Sequence, residues 1–174
     1  MIKTIATRQA PEAVGPYAQA VQADGWIFCS GQLGLDPAGG PLAADTAAQA
    51  RQALANLRAV LAAAGSGLDA VVKTTVFLTD LAEFAAVNAV YAEAFGAHRP
   101  ARACVQVVAL PKGAKVEIEA VAWVRTGACK TPGTHRSFCT ACWSWGPIRD
   151  GPSCCCVEAL RRRVQIQGRH LLLP

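Results

Sequence analysis

The sequence predicts an α+β fold, a sheet with two helices on one face. Short runs rich in β-branched and aromatic residues stand at both ends of the first 125 residues, and two longer segments between them have helical spacing. The predicted order is β-β-β-α-β-α-β-β. Adjacent β segments at both ends of a mixed order are typical of α+β domains rather than of alternating α/β domains. Such a sheet leaves its second face to be covered by something else.

The first three strands are short and close together. "KTIA" predicts the first strand, and "PYAQAVQADGWIFCSGQLGLDPAGG" predicts two more on either side of "ADG". Gly, Asp and Pro are the residues that turns prefer, so "DPAGG" is expected to end the third strand.

Two segments have the spacing of amphipathic helices. In "DTAAQARQALANLRAVLAAAG", the apolar residues at three- and four-residue steps are Ala50, Ala53, Leu54, Leu57, Val60 and Leu61. Gly65 is expected to end this helix, as a glycine just past the last turn does. The second helix is expected over "TDLAEFAAVNAVYAEAF", with Thr79 or Asp80 as its N-cap. Its apolar positions are Leu81, Phe84, Val87, Tyr91 and Phe95.

The remaining strands are "AVVKTTVFL", which reads as buried, and "ACVQVVAL" and "KVEIEAVAWV", which are joined by "PKG". Because side chains alternate across a strand, we expect an apolar face toward the helices and a second face with charges. The residues assigned to the helix face are Ala103, Val105, Val107, Val116, Ile118, Ala120 and Ala122. Those assigned to the other face are Arg102, Cys104, Gln106, Lys115, Glu117, Glu119 and Val121.

Arg102 is the unusual residue of this second face. A guanidinium keeps its charge at every relevant pH and costs several kcal/mol to bury unpaired. Either Arg102 lies on a solvated face, or it is held ready for an anion. In the second case Arg102 and a glutamate converge on one wet cleft. The alternation pattern does not distinguish the two.

Charge and cysteine divide the chain into two parts. Residues 1–125 hold ten Lys+Arg, ten Asp+Glu and two cysteines. Residues 126–174 hold seven Lys+Arg, two Asp+Glu and six cysteines. Two scattered cysteines do not form a disulfide scaffold, so the first part is expected in a reducing compartment, the cytoplasm. Its neutral charge predicts no nucleic-acid footprint. The N-terminus lacks the apolar core of a secretory signal, and no apolar run approaches the ~18 residues of a membrane span.

Residues 126–174 lack a sustained helix or strand period and mix Cys, Trp, Arg, Gly and Pro. We interpret them as a disordered, non-functional extension, translated out of frame past a lost stop codon. A zinc site is the alternative, built on "CTAC" at 139–142 with Cys129, His135 or the triple cysteine at 154–156. The spacing of those further ligands is not that of a zinc ribbon or finger.

Five segments of the first part resemble one known family. They are "GPYAQAV", "SGQLGLDP", "QARQALANLRAVL", "VVKTTVFLTDLAEFAAVNAVYAEAF" and "PARACVQVVALPKGAKVEIEAVA". They resemble the Rid family (RidA/YjgF, reactive intermediate deaminases) from about residue 3 to residue 124. The resemblance implies a chorismate-mutase-like fold and a homotrimer whose sheets form a central barrel. It also implies active sites in the clefts between subunits.

The resemblance implies hydrolysis of reactive 2-imino or enamine acids, such as 2-iminobutanoate and 2-iminopropanoate, to 2-keto acids and ammonia. No cofactor or metal is implied. Arg102 matches the family's carboxylate-binding arginine, and Glu117 matches the glutamate that activates a water. Alternation places Glu119 on the same face, so only the family pattern selects Glu117. Tyr17 matches a tyrosine of the same pocket.

The resemblance also implies four substrate-binding positions besides Arg102. Cys104 matches a cysteine whose backbone groups help to hold substrate or water. Ser30 and Gly31 match the loop that closes the pocket, and Asn88 matches a polar helix residue near it. The alternative function is non-enzymatic, as a chaperone-like holdase or a regulator of translation. A regulator that binds RNA needs a basic groove with aromatic residues, and a holdase needs exposed apolar surface.

Overall fold

The computed structural model describes residues 1–125. Its elements are β1 (Ile2–Ile5), β2 (Ala20–Ala23), β3 (Trp26–Leu33), α1 (Thr46–Ala63), β4 (Val71–Leu78), α2 (Phe84–Phe95), β5 (Ala101–Gln106) and β6 (Val116–Trp123). The predicted order of strands and helices is therefore confirmed. The predictions of a domain boundary at residue 125, a disordered extension and an alternative zinc site concern residues 126–174, outside the described residues.

The six strands form one sheet in the order β1-β2-β3-β6-β4-β5. The β4–β5 pair is parallel, because α2 connects these two strands, and the other pairs are antiparallel. A parallel connection needs a crossover of this kind. The strand β5 pairs only with β4, so its outer edge is unpaired within residues 1–125.

The helix α1 packs on β3 and β6 and against α2. All six apolar positions predicted from its spacing are at most 2% exposed, so the apolar face is confirmed. Asp45 caps the helix by accepting a 2.7 Å hydrogen bond from the backbone N–H of Ala48. Gly65 follows the helix with a left-handed φ of +75°, as expected of the residue that ends it.

The start of α2 differs from the prediction. Asp80 accepts a hydrogen bond from the N–H of Ala82, but it caps a short 3-10 turn, and the α-helix begins only at Phe84. Val87, Tyr91 and Phe95 are buried as predicted. Leu81 and Phe84 are instead about two-fifths exposed, at 44% and 39%, because this end of the helix lies at the edge of the sheet.

The two faces of β5 are the reverse of those predicted. In the β4–β5 register Arg102 lies beside Thr74 and Cys104 beside Val76, and both β4 residues are 1% exposed beneath the helices. Arg102 and Cys104 therefore lie on the helix side, and Val105, which was expected there, is 41% exposed on the other side. Alternation failed here because β5 is an edge strand, whose two faces are both partly open.

The face of the sheet away from the helices carries large apolar side chains. Trp26 and Trp123 meet edge to face with ring centroids 4.7 Å apart, and Phe28 lies beside Val121 in the β3–β6 register. Trp26, Phe28 and Trp123 are between 37% and 47% exposed. Contiguous apolar surface of this kind is usually covered by a partner. The trimer with a central barrel stays a prediction.

None of the helices within residues 1–125 is long and apolar enough to cross a membrane.

Candidate active site

A cleft of about 580 Å³ opens beside the N-terminal loop, between β3 and β6. It is lined by four of the residues singled out from the sequence, Tyr17, Ser30, Gly31 and Glu117. Lys112, which sequence reasoning missed, also lines it. The structure thus brings together residues that lie 100 positions apart in the chain.

A β-bulge shapes the floor of this cleft. Between Cys29 and Gln32, β3 has one residue more than the facing stretch of β6. An extra residue of this kind bends the strand and redirects its side chains. The bulge contains Gly31, and a Cβ atom at that position would lie only 2.7 Å from Cδ of Glu117 and 2.9 Å from its Cγ. The Glu117 carboxylate therefore lies directly over Gly31, in space that any other residue would fill.

The environment of Glu117 alters its acidity. Burial, and next to it the negative charge of Glu119, raise the pKa of the Glu117 carboxyl. Glu119 itself lines a separate hollow of about 220 Å³ with Phe28, Lys73 and Thr75. The two glutamates, equivalent by alternation, thus have different surroundings. Of these two, Glu117 alone faces the cleft that contains Tyr17 and Ser30.

The hydroxyl groups of the cleft differ in what they can do. The Ser30 hydroxyl donates a 2.6 Å hydrogen bond to the carbonyl of Ala18, so only its lone pairs are available to a ligand. Tyr17 is 53% exposed, and its phenol oxygen accepts a long 3.4 Å contact from the N–H of Val14. The Tyr17 hydroxyl proton therefore remains available as a donor toward the cleft.

The loop that carries Tyr17 is held by Gln19, a residue that sequence reasoning missed. The Gln19 side chain is 4% exposed and donates to the carbonyls of Pro11 and Ala10 at 2.7 and 3.3 Å. It also accepts a hydrogen bond of 2.6 Å from the N–H of Thr7. No sequence pattern distinguishes Gln19 from the glutamines nearby, because its structural role depends on hydrogen bonds to backbone groups up to twelve residues away.

The other predicted site residues, Asn88, Arg102 and Cys104, lie elsewhere, on α2 and on β5, which meet through the side chain of Arg102. The Arg102 guanidinium carbon is 4.6 Å from the ring centroid of Tyr91 and 5.6 Å from that of Phe84. Asn88 lies between these aromatic residues on one face of α2, by its spacing of four and three residues. None of the ion pairs within residues 1–125 involves Arg102.

Cys104 lies on the same side of β5, two residues beyond Arg102. Burial raises the pKa of its thiol, and the nearby Arg102 charge offsets only part of that effect. A thiol that stays protonated is a poor nucleophile. The feature of β5 suited to binding is its outer backbone edge, which is unpaired within residues 1–125.

The expectation that Arg102 and a glutamate converge on one cleft is wrong for a single chain. Arg102 lies on the helix side of β5, whereas Glu117 lies on the opposite side of β6, and β4 separates the two strands. The physical reason is the reversed face of β5 described above. Each group is incomplete by itself: one has a carboxylate and hydroxyls, and the other a guanidinium.

The described residues offer no cluster of three or more His, Cys, Asp or Glu side chains that could hold a metal ion. The cleft instead combines a carboxyl of raised pKa, a phenol and a hydroxyl, which are groups that bind and move protons. These are the features of a small α+β protein built for acid–base chemistry.

Comparison of the sequence with known proteins identifies the family of this α+β protein. Residues 7–124 match the family described as Endoribonuclease L-PSP. The chain is also 52% identical over 125 residues to the 2-iminobutanoate/2-iminopropanoate deaminase of Escherichia coli, covering 70% of this chain and 98% of that protein. The chain therefore belongs to this family, which is the RidA/YjgF family of the sequence analysis.

Two further proteins agree. The RutC family protein y4sK of Sinorhizobium fredii is 56% identical over 122 residues, which cover 70% of this chain and 97% of that protein. The crystal structure of E. coli TdcF with bound serine superposes with a TM-score of 0.67 at 46% identity, covering 70% of this chain and 98% of TdcF. The α+β fold with two helices on a mixed sheet is thus shared with solved members of the family.

Proposed function

We propose that this protein is an imine/enamine deaminase, which hydrolyses small 2-imino acids to 2-keto acids and ammonia. The observation that carries the proposal is the Glu117 carboxylate, which lies over Gly31 in a cleft with Tyr17 and Ser30. Its support from relatives is the deaminase of E. coli, 52% identical over nearly its whole length. That TdcF binds serine agrees with a small ligand bearing a carboxylate.

In the proposed reaction Arg102 binds the carboxylate of the imino acid. A planar guanidinium holds a carboxylate through two parallel hydrogen bonds, which fixes the neighbouring C=N carbon for attack. Arg102 suits this role because none of the ion pairs within residues 1–125 engages it. Asn88 and the backbone of Cys104 lie on the same side and complete this half of the proposed site.

Glu117 supplies the base. As a water oxygen forms its bond to the C=N carbon, Glu117 takes a water proton, and the nitrogen receives the electron pair of the broken π bond. Glu117 then passes this proton to the nitrogen, which becomes an ammonium group. As the new hydroxyl gives its own proton to Glu117, the oxygen electron pair forms the C=O bond, the C–N bond breaks, and ammonia leaves. A carboxyl whose pKa is raised is a stronger base when ionised, which suits this exchange. Tyr17 donates to substrate or water, and the Ser30 oxygen accepts.

We further propose that the complete site lies between subunits of a homotrimer. Within one chain Arg102 and Glu117 lie on opposite sides of the sheet, so a second copy must supply the missing half. The exposed apolar face with Trp26, Phe28 and Trp123 supports association, since burying it against copies of itself removes it from water. The cytoplasmic location stays a prediction.

In the test, an amino-acid oxidase generates 2-iminobutanoate in the assay mixture, and semicarbazide traps the imine that has not been hydrolysed. We expect the purified full chain to suppress the semicarbazone signal in proportion to enzyme. Arg102→Lys keeps the charge but loses the two-point grip, so kcat/KM should fall about a hundredfold. The control is Arg58→Lys, at an exposed position of α1. Near-normal kcat/KM in folded Arg102→Lys would remove Arg102 from the site.

A holdase function is the second candidate, because one chain exposes Trp26, Phe28 and Trp123. A holdase uses such a surface to bind unfolded clients, whereas a trimer would cover it. Suppression of client aggregation that persists in Arg102→Lys, with no imine hydrolysis by the wild type, would favour the holdase. A translational or ribonuclease role has less support, since residues 1–125 carry equal numbers of acidic and basic residues.

A further inference from the structure

The Arg102 guanidinium is contacted by aromatic rings. Its central carbon lies 4.6 Å from the ring centroid of Tyr91 and 5.6 Å from that of Phe84. Both distances are within the range of a cation–π contact. An aromatic ring forms no ion pair with the guanidinium, and none of the ion pairs within residues 1–125 involves Arg102, so its N–H groups are available to a ligand.

Tyr91 is itself held in place by a residue of β4 and by another residue of α2. Its phenol oxygen shares a buried 2.7 Å hydrogen bond with the hydroxyl of Thr74 on β4. Its ring stacks on Phe95 of α2 with centroids 4.4 Å apart. Thr74 is also the residue beside Arg102 in the β4–β5 register. Tyr91 and Thr74 are 7% and 1% exposed, so the ring under Arg102 has little freedom to move.

We propose that Tyr91, fixed by Thr74 and assisted by Phe84, is a positioning residue that orients Arg102 for the substrate carboxylate. This inference rests on the proposed function of Arg102. A glutamate or aspartate could also hold an arginine still, but it would occupy the N–H donors and compete with the substrate. Aromatic rings hold the guanidinium without that competition. An arginine on an exposed edge strand needs such support, because a free side chain loses more entropy on binding.

The expected signature is a loss confined to carboxylate recognition. Tyr91→Leu removes the ring and should raise KM for 2-iminobutanoate about tenfold, with kcat changed by less than about threefold; tenfold in binding is about 1.4 kcal/mol, within the range of a partly desolvated cation–π contact. Tyr91→Phe keeps the ring and should restore most of this loss. Thr74→Val and Phe84→Leu should each raise KM by about threefold.

A second measurement separates positioning from general damage. Titration calorimetry measures the affinity for 2-oxobutanoate, the keto acid product, and for its uncharged methyl ester. The variants should weaken binding of the acid and leave that of the ester within about twofold, because only the acid uses Arg102. Leu81→Ala is the control, since Leu81 is exposed in the short turn just before α2 and neither ring contact to Arg102 involves it.

Two results would overturn the inference. One is an equal loss for acid and ester in folded Tyr91→Leu, and the other is unchanged KM in all the ring variants. If Tyr91→Leu does not fold, Phe84→Leu and Thr74→Val decide, since unchanged acid affinity in both refutes the positioning role. Failure of the proposed function gives a different pattern, in which the wild type does not hydrolyse 2-iminobutanoate or Arg102→Lys stays fully active.

Discussion

Glu117 and Glu119 stand two residues apart on β6, yet their surroundings give them different chemistry. Glu117 faces the cleft and is partly buried, and the neighbouring Glu119 charge raises its pKa further. Glu119 is exposed and lines a different hollow. Substituting each glutamate in turn therefore tests which carboxylate takes the proton of water.

We expect Glu117→Gln to lower kcat about a hundredfold with little change in KM, because the amide can hold a water but cannot accept its proton. Glu119→Gln is the matched control and should keep kcat within about threefold at the pH optimum. Steady-state kinetics with 2-iminobutanoate measures both. The reverse ranking would show that Glu119 is the base.

The pH profile provides a second readout of the same pair. Glu117 acts as a base only when ionised, so activity should fall as the pH drops through its raised pKa. Removing the Glu119 charge lowers the pKa of Glu117, because ionising Glu117 no longer creates a like-charge pair. The acidic limb of kcat/KM against pH should therefore move to lower pH in Glu119→Gln. An unmoved limb in Glu119→Gln would argue against Glu117 as the group that titrates.

At the scale of elements, the bulge in β3 connects local backbone geometry to the site. It puts Gly31 beneath the Glu117 carboxylate, where a side chain would collide. Gly31→Ala should displace the carboxylate and lower kcat/KM at least about tenfold without unfolding the protein. Circular dichroism and the imine assay measure the two effects.

The control for this prediction is another glycine. Gly39 has a φ of +92°, and no atom lies within 4 Å of the Cβ that Gly39→Ala would add. It should cost about 1 kcal/mol of stability through backbone strain and leave kcat/KM unchanged. A loss of stability without a loss of activity in Gly31→Ala would refute the steric role of that position.

At the scale of the whole molecule, a site divided between the two sides of one sheet predicts that two chains share each active site. The Glu117→Gln and Arg102→Lys variants are each expected to keep about a hundredth of wild-type activity alone. When both are refolded together, a mixed trimer contains interfaces with an intact Glu117 from one chain and an intact Arg102 from its neighbour. Random mixing should restore about a quarter of wild-type activity.

Mass measurement by light scattering completes this test and should give three times the mass of one chain. Sites within single chains would give no recovery of activity on mixing. A stable and active monomer would contradict both the trimer and the shared site.

Deletion of residues 126–174 tests the second part of the chain. All the proposed site residues lie within residues 1–125, and the family match ends at residue 124. We therefore expect oligomeric state, kcat/KM and melting temperature to be unchanged by the deletion. A fall of several degrees, equivalent to about 1 kcal/mol, would mean that these residues stabilise the domain. Stoichiometric metal in the full chain that is lost on deletion would favour the zinc alternative.

Patterns within the sequence were sufficient for the elements and for most of the core. The six apolar positions of α1 and the alternation of Val116, Ile118 and Ala120 in β6 predicted buried faces correctly. These patterns are reliable because a central element has one face against the core and one against solvent or a partner. The family resemblance added the candidate site residues, which composition and period alone could not identify.

Only the tertiary structure decided which side of the sheet Arg102 occupies and what holds the guanidinium. For the glutamates, the family resemblance selected Glu117, and the structure gives the physical reason. An edge strand such as β5 has two partly open faces, so burial does not select one, and the register with β4 determines the side. Glu117 and Glu119 have the same place in the alternation, and a bulge in another strand distinguishes them. The Tyr91 ring of α2 contacts Arg102 of β5, and no periodicity within either element contains a contact between the two.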